Sequence, residues 1–307
     1  MRRALALTLA VGFGTLLAAR GLCAAPEPVR MPTDGEIQKI TAAAPDKPTV
    51  QPAKPRKVLV CGQNEAHLPV PFCAKAIEIM ARKTGAFDAV FSNDPAMFEA
   101  DNLKQFDAVI LNNSHTLSPL LPVGFKQLPK DQQDKARERA KRLQKNLEDF
   151  VRGGKGLVGI HGATVGLPEI GNVLGGNFAD WPWKGKEEFP VKLDDPASPL
   201  NAAFEGKGFS VLDEGYAFRD PYSRDILHVL MSIDLSKTKD LGKRPDHDYA
   251  MGWVRSYGTG RVFYSAIGHW PELYWNPKLL RHWLDGIQFA LGDLKADTTP
   301  SAKLKKE

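Results

Sequence analysis

Cysteine is scarce in this chain, three in 307 residues, and one of the three, Cys23, falls inside an N-terminal segment that reads as a leader. A disulfide-stapled fold is thereby excluded. Cys61 and Cys73 are left as a possible pair in an oxidising compartment, or as two small buried thiols. Local metal signatures such as H-E-x-x-H are absent, so a metal site would have to be assembled from residues distant in sequence. A basic stripe with interleaved aromatics is missing too. The formal charge of +5 draws on Arg2, Arg3 and Arg20 at one end and on Lys303, Lys305 and Lys306 at the other, which argues against nucleic acid as a partner. No internal repeat is visible, and nothing in the sequence specifies an oligomeric state.

What is present is an ordinary globular composition, 43% hydrophobic and 25% charged. Arg2 and Arg3, an apolar run from Ala4 to Ala19 and small residues around Cys23, Ala24 and Ala25 predict an export leader over residues 1–25, hence a periplasmic or secreted protein with no membrane partner after cleavage. The arginine pair permits a twin-arginine route, whereas Arg20, three residues before Cys23, speaks against a lipoprotein. Residues 26–56 carry Pro45, Pro48, Pro52 and Pro55 too closely spaced for a helix, and the segment is expected to be a tether. The domain is expected over residues 57–292, with a loose polar tail at 293–307.

Within that domain, short apolar strands (Lys57 to Cys61, Phe87 to Ser92, Phe106 to Asn112, Gly156 to His161) alternate with helices (Phe72 to Thr84, Lys130 to Arg152). This is the pattern of an α/β fold with a parallel sheet covered on both faces. The second half is richer in strands, at Phe189 to Leu193, Phe209 to Leu212, Leu227 to Ile233, Tyr249 to Arg255 and Arg261 to Ala266, and some of these should pair antiparallel. A closing helix is expected from Pro277 to Leu291.

In such sheets ligands bind beyond the carboxyl ends of the strands. Histidine recurs there: His67 after the first strand, His115 after Asn112, Asn113 and Ser114, His161 before Thr164, and His269. Asp213, Glu214 and Tyr216 follow a later strand. His161 stands out, because glycines on either side of an elbow residue permit a strained backbone that lifts its side chain into a pocket. Trp181, Trp183, Trp270, Tyr274 and Trp275 are expected around the mouth, where flat rings suit the apolar face of a sugar.

The string GIHGAT (159–164), Gly175-Gly176-Asn177-Phe178, Asp213-Glu214 with Tyr216, Trp253, GRVFYSAIGH (260–269) and the closing WNPKLLRHWLDGIQFALG together resemble the ThuA-like, trehalose-utilisation family. The resemblance covers Lys57 to Gly292. It implies a flavodoxin-like, class I glutamine amidotransferase-like fold and an association with sugar and disaccharide use. In an amidotransferase the elbow residue is a cysteine; here it is His161, and imidazole cannot carry an acyl group as a thiolate does, so amidotransferase activity is not expected. The family usually shows a histidine soon after its GG-x-F block, where this chain has Asp180, Trp181, Pro182 and Trp183.

Two chemistries fit His161, His269, Glu214 and Asp213 as catalytic candidates, with His67, Asn113, His115, Thr164, Tyr216, Trp181, Trp183 and Trp270 binding a small carbohydrate. In the first, an imidazole and a carboxylate act as base and acid on a sugar carbon, for instance beside a ketone, as in a lyase, isomerase or hydrolase. In the second, His67, His161 and His269 with a carboxylate hold zinc or a similar divalent ion, as in a metal-dependent hydrolase. A noncatalytic carbohydrate-binding or scaffolding domain is the rival class.

Overall fold

Runs such as KVLVC and GLVGI are apolar nearly throughout, and strands of that kind are stable only inside a sheet with both faces covered. The computed structural model, which describes residues 29–62, 67–114, 119–166 and 168–304, gathers them into one sheet. Its nine strands among the described residues are β1 (Lys57–Cys61), β2 (Asp88–Phe91), β3 (Ala108–Asn112), β4 (Gly156–Ile160), β5 (Asn177–Leu193), β6 (Phe209–Arg219), β7 (His228–Ile233), β8 (Ala250–Tyr257) and β9 (Gly260–Ser265). Their order is β2-β1-β3-β4-β9-β8-β7-β5-β6. The first five are parallel neighbours, and from β9 onward every pairing is antiparallel. The fold is thus α/β and flavodoxin-like, with the expected antiparallel second half.

The helices are α1 (Asp34–Ala43), α2 (Pro69–Thr84), α3 (Ala100–Leu103), α4 (Lys130–Arg152), α5 (Pro168–Leu174) and α6 (Pro277–Leu291). Two glycines let the long ones approach the sheet. A Cβ on Gly156 would stand 2.4 Å from the Ala290 carbonyl oxygen of α6, and one on Gly260 would stand 1.8 Å from the Val151 oxygen of α4. Gly156 pairs with Arg261, so the neighbouring Gly260 faces the other way and the two helices cover opposite faces. Among the described residues no helix is long and apolar enough to cross a membrane.

Three expectations are corrected. The segment read as a tether carries α1, opened by a capping box in which the Thr33 hydroxyl accepts from the Glu36 N–H while Glu36 accepts from the Thr33 N–H. The prolines that argued against a helix all lie beyond residue 44. Ile40 is buried, Lys83 donates to the carbonyls of Thr41 and Ala44, and Thr49 N–H donates to the Gln288 side chain on α6, so the segment is docked. The tail is held as well: the Ser301 N–H donates to the Leu227 carbonyl, and the Ser301 hydroxyl oxygen accepts from the Val229 N–H. Finally, the strand read at 209–212 continues to Arg219, and the one read at 189–193 begins at Asn177, so that Trp181 and Trp183 lie in β5. Cys61 and Cys73 are unpaired buried thiols, both pushed up to about 12 by burial. The leader read at residues 1–25 lies outside the described residues.

Candidate active site

The parallel strands deliver their last residues to one rim of the sheet. β4 passes straight into a short 3-10 turn, His161–Thr164, and His161 is held at φ 47°, a left-handed conformation that costs an ordinary residue about 1–2 kcal/mol. Close packing over-determines that conformation. A Cβ on Gly159 would lie 2.9 Å from both Leu174 and the Tyr264 ring, and one on Gly268 would lie 3.2 Å from the His161 Cβ. The Tyr264 hydroxyl donates to the His161 carbonyl (2.7 Å) and meets the Thr164 hydroxyl at 3.1 Å.

The His161 ring is fully buried and its two nitrogens have different duties. Nδ1 lies 2.7 Å from the Ala266 carbonyl oxygen, which can only accept, so Nδ1 carries the proton and neutral His161 presents a lone pair at Nε2. Toward Nε2 come the Tyr216 hydroxyl at 2.7 Å, His269 Nδ1 at 3.2 Å and Glu214 Oε2 at 3.5 Å. His269 Nδ1 is itself 3.4 Å from Glu214 Oε2.

Glu214 and Tyr216 reach this point although β6 is last in the order of the sheet. Register shifts between Phe178 and Glu187 bend the β5–β6 ribbon, as bulges do, and it crosses back so that Phe218 packs edge-on against Trp253 and Tyr264. The pleat then sets Glu214 and Tyr216 on one face and Asp213 on the other. Asp213, expected beside them as a catalytic group, spends its carboxylate on backbone: it accepts from the N–H groups of Gly268 (2.7 Å) and His269 (3.1 Å). Burial, opposed by His161 and those N–H groups, pushes Asp213 up to about 6. For Glu214, burial raises the carboxyl, but the neighbouring imidazoles of His161, His269 and His67, when protonated, outweigh it and hold the group below its ordinary value. Burial, with nearby tyrosines and carboxylates, drives Tyr216 well above the ordinary phenol, so it remains a donor.

The other expected residues are distributed unevenly. The His67 ring stands 5.3 Å from that of His269, centre to centre, beside the group rather than in it. Among the described residues the trio whose ligand atoms lie within 4.8 Å of one another is His161, Glu214 and His269, two of the three expected histidines with a carboxylate. Asn113, also left-handed at φ 49°, is buried and donates to Asn112 Oδ1 and the Tyr274 hydroxyl. Trp183 is buried against Phe189 and Tyr249, because alternate positions of β5 face the core. Trp181 is exposed and stacks on Phe178, which meets Tyr216 edge-on. Trp270 is half-buried beside the His269 ring and donates to the Gly185 carbonyl. His115, like Gln63, Asn64 and Glu65, lies outside the described residues. The Ala266 carbonyl was not expected, and a backbone acceptor leaves no trace in sequence.

Fold and site together define a flavodoxin-like α/β protein whose strand-to-helix elbow presents an imidazole at the rim of the sheet. The chain belongs to the trehalose-utilisation (ThuA) family, whose sequence profile, described as "Trehalose utilisation", matches residues 57–290. It is similar to a putative ThuA-like protein from Bacteroides uniformis at 19% identity and a TM-score of 0.59, over 83% of this chain and 99% of that one. A putative ThuA-like protein from Parabacteroides merdae is 17% identical with a TM-score of 0.48, over 80% and 93% of the two chains. No curated protein matches the sequence.

Proposed function

We propose that this family member acts on a sugar, disaccharide or keto-sugar by proton transfer within the cluster of His161, Tyr216, Glu214 and His269, and that it works in the periplasm or outside the cell. One observation carries the reading: the Ala266 carbonyl fixes the His161 tautomer, leaving Nε2 as a buried base 2.7 Å from a phenol that stays protonated. A base and an acid so placed suit removal of a proton from a carbon beside a ketone while the carbonyl oxygen is protonated. Glu214, held ionised between two imidazoles, keeps positive charge stable there. The exposed Trp181 ring and the Trp270 ring supply flat surfaces for a pyranose face. An acyl-transfer role is disfavoured, since the elbow holds an imidazole and both described cysteines are buried.

The test is proton exchange followed by NMR. The full chain is incubated in D2O with disaccharides and their oxidised keto forms. Deuterium is expected at the carbon beside the ketone, falling about 10²–10⁴-fold in His161→Gln and Tyr216→Phe. Sugar binding without exchange or turnover in the wild type would overturn the catalytic reading and leave a carbohydrate-binding domain.

A further inference from the structure

We propose that His161 Nε2, His269 Nδ1 and Glu214 Oε2 form a three-ligand site for one divalent cation of the zinc class, with the remaining position open toward the rim. The three atoms are separated by 3.2, 3.4 and 3.5 Å, a nearly equilateral triangle. Zinc–ligand bonds of about 2.0–2.2 Å in tetrahedral geometry separate adjacent ligands by about 3.3–3.6 Å, so the triangle already has the size of one tetrahedral face. Two imidazole nitrogens and one carboxylate are also a donor set that borderline-soft divalent ions take in catalytic sites, where three protein ligands leave room for water or substrate.

The surroundings hold the ligands as a metal site requires. The Ala266 carbonyl, 2.7 Å from His161 Nδ1, fixes the tautomer that frees Nε2, the usual supporting contact of a metal-bound histidine. Asp213 grips the backbone of Gly268 and His269, which fixes where the second imidazole starts from the chain. Glu214 is only 18% exposed at its side chain, and its carboxyl is pinned by the two rings rather than by a lysine or arginine.

Tyr216 is the competitor. His161 Nε2 has a single lone pair, and the Tyr216 hydroxyl lies on it at 2.7 Å, so a cation displaces that hydrogen bond and leaves the hydroxyl to face cation-held water or substrate. The proposal is independent of the proton-transfer reading: a cation on His161 Nε2 takes the lone pair that the base would use, so the two are alternative uses of that nitrogen, and occupation by a cation requires no particular substrate.

Calorimetric titration of the full mature chain, stripped with a chelator and freed of any histidine tag, with Zn2+ alone tests the site. One equivalent is expected, with affinity reduced at least about 100-fold in His161→Ala and in Glu214→Gln. The second variant keeps its size and sits on a partly exposed strand position, so it serves if the first fails to fold. Tyr216→Phe should bind Zn2+ as tightly as the wild type or more tightly, and His247→Gln, on the exposed surface, should change nothing. Absence of a stoichiometric binding event, or binding that survives Glu214→Gln unchanged, would overturn the proposal. Because the readout is metal alone, a site that fills with Zn2+ while no sugar is processed removes the sugar chemistry and leaves the cation site intact.

Discussion

At the scale of single residues, His161 and His269 were legible because each follows a strand at the rim where open sheets bind ligands, whereas Glu214 and Tyr216 were reached through a strand read as ending at Leu212 and in fact lie within β6. Asp213 and Trp183 were misplaced for one shared reason. Strand alternation divides neighbouring residues between faces, and a reading that began one strand at Phe189 and ended the next at Leu212 could not assign faces to Trp183 before the first or Asp213 after the second. Asp213 is therefore a positioning residue, and Asp213→Asn separates that role from a catalytic one. The amide can accept from one of the two N–H groups of Gly268 and His269, but its own NH2 confronts the other, leaving a buried donor unpaired at a cost of about 1–3 kcal/mol. Chemical unfolding should show that loss, and Zn2+ affinity should fall with it as the His269 loop loosens. Full stability and full metal affinity combined with lost turnover would instead make Asp213 a catalytic group.

At the scale of elements, the strands and long helices of the domain were recoverable from apolar periodicity, whereas α1 was not. Its only strong signal was the box from Thr33 to Glu36, ahead of a proline-rich stretch that dominated the composition. What holds the following segment is polar: the Thr49 hydroxyl donates to Asp285, and Gln288 exchanges hydrogen bonds with Thr49 and Val50. Asp285 is thus buried under residues 45–50. Burial, only partly offset by Thr49 and Arg281, pushes its carboxyl from 3.8 up to about 7. A folded value above the unfolded one means that the contribution is complete below the unfolded value of 3.8. Between 3.8 and about 7 the unfolded chain releases a proton that the fold retains, and stability is lost as the pH rises through that window. Asp285→Asn keeps an acceptor for Thr49 and has no proton to lose. The difference in melting temperature, wild type minus variant, should therefore decline as the pH is raised across the window and level off above it. A difference that does not change with pH would show that Asp285 is solvated rather than shielded by the segment.

At the scale of the whole molecule, alternation of strands and helices disclosed the parallel half of the sheet and a strand-rich second half, but not the path by which β5 and β6 return over the rim. That path depends on irregularities between Phe178 and Glu187 that no period describes. The same limit hid the tail. β5 pairs with β7 only at residues 231–233, and the tail takes over where that ladder stops: Ser301 bonds Leu227 and Val229, and His228 Nδ1 meets the Thr299 carbonyl at 2.7 Å. β7 is parallel to β9 through β8, so its first residues lie toward the end of the sheet away from His269. Truncation after Thr298 removes these three hydrogen bonds and the one from the Ala302 N–H to the Arg224 carbonyl, four at roughly 1 kcal/mol each. For a domain of this size that corresponds to a melting temperature lower by roughly 8–16 °C. Zn2+ affinity should be unchanged below the new transition, because none of the bonds lost touches the rim. An affinity that fell in step with the melting temperature would mean that the tail braces the β7–β8–β9 half as one body with the site, and that the two ends of the sheet are mechanically coupled.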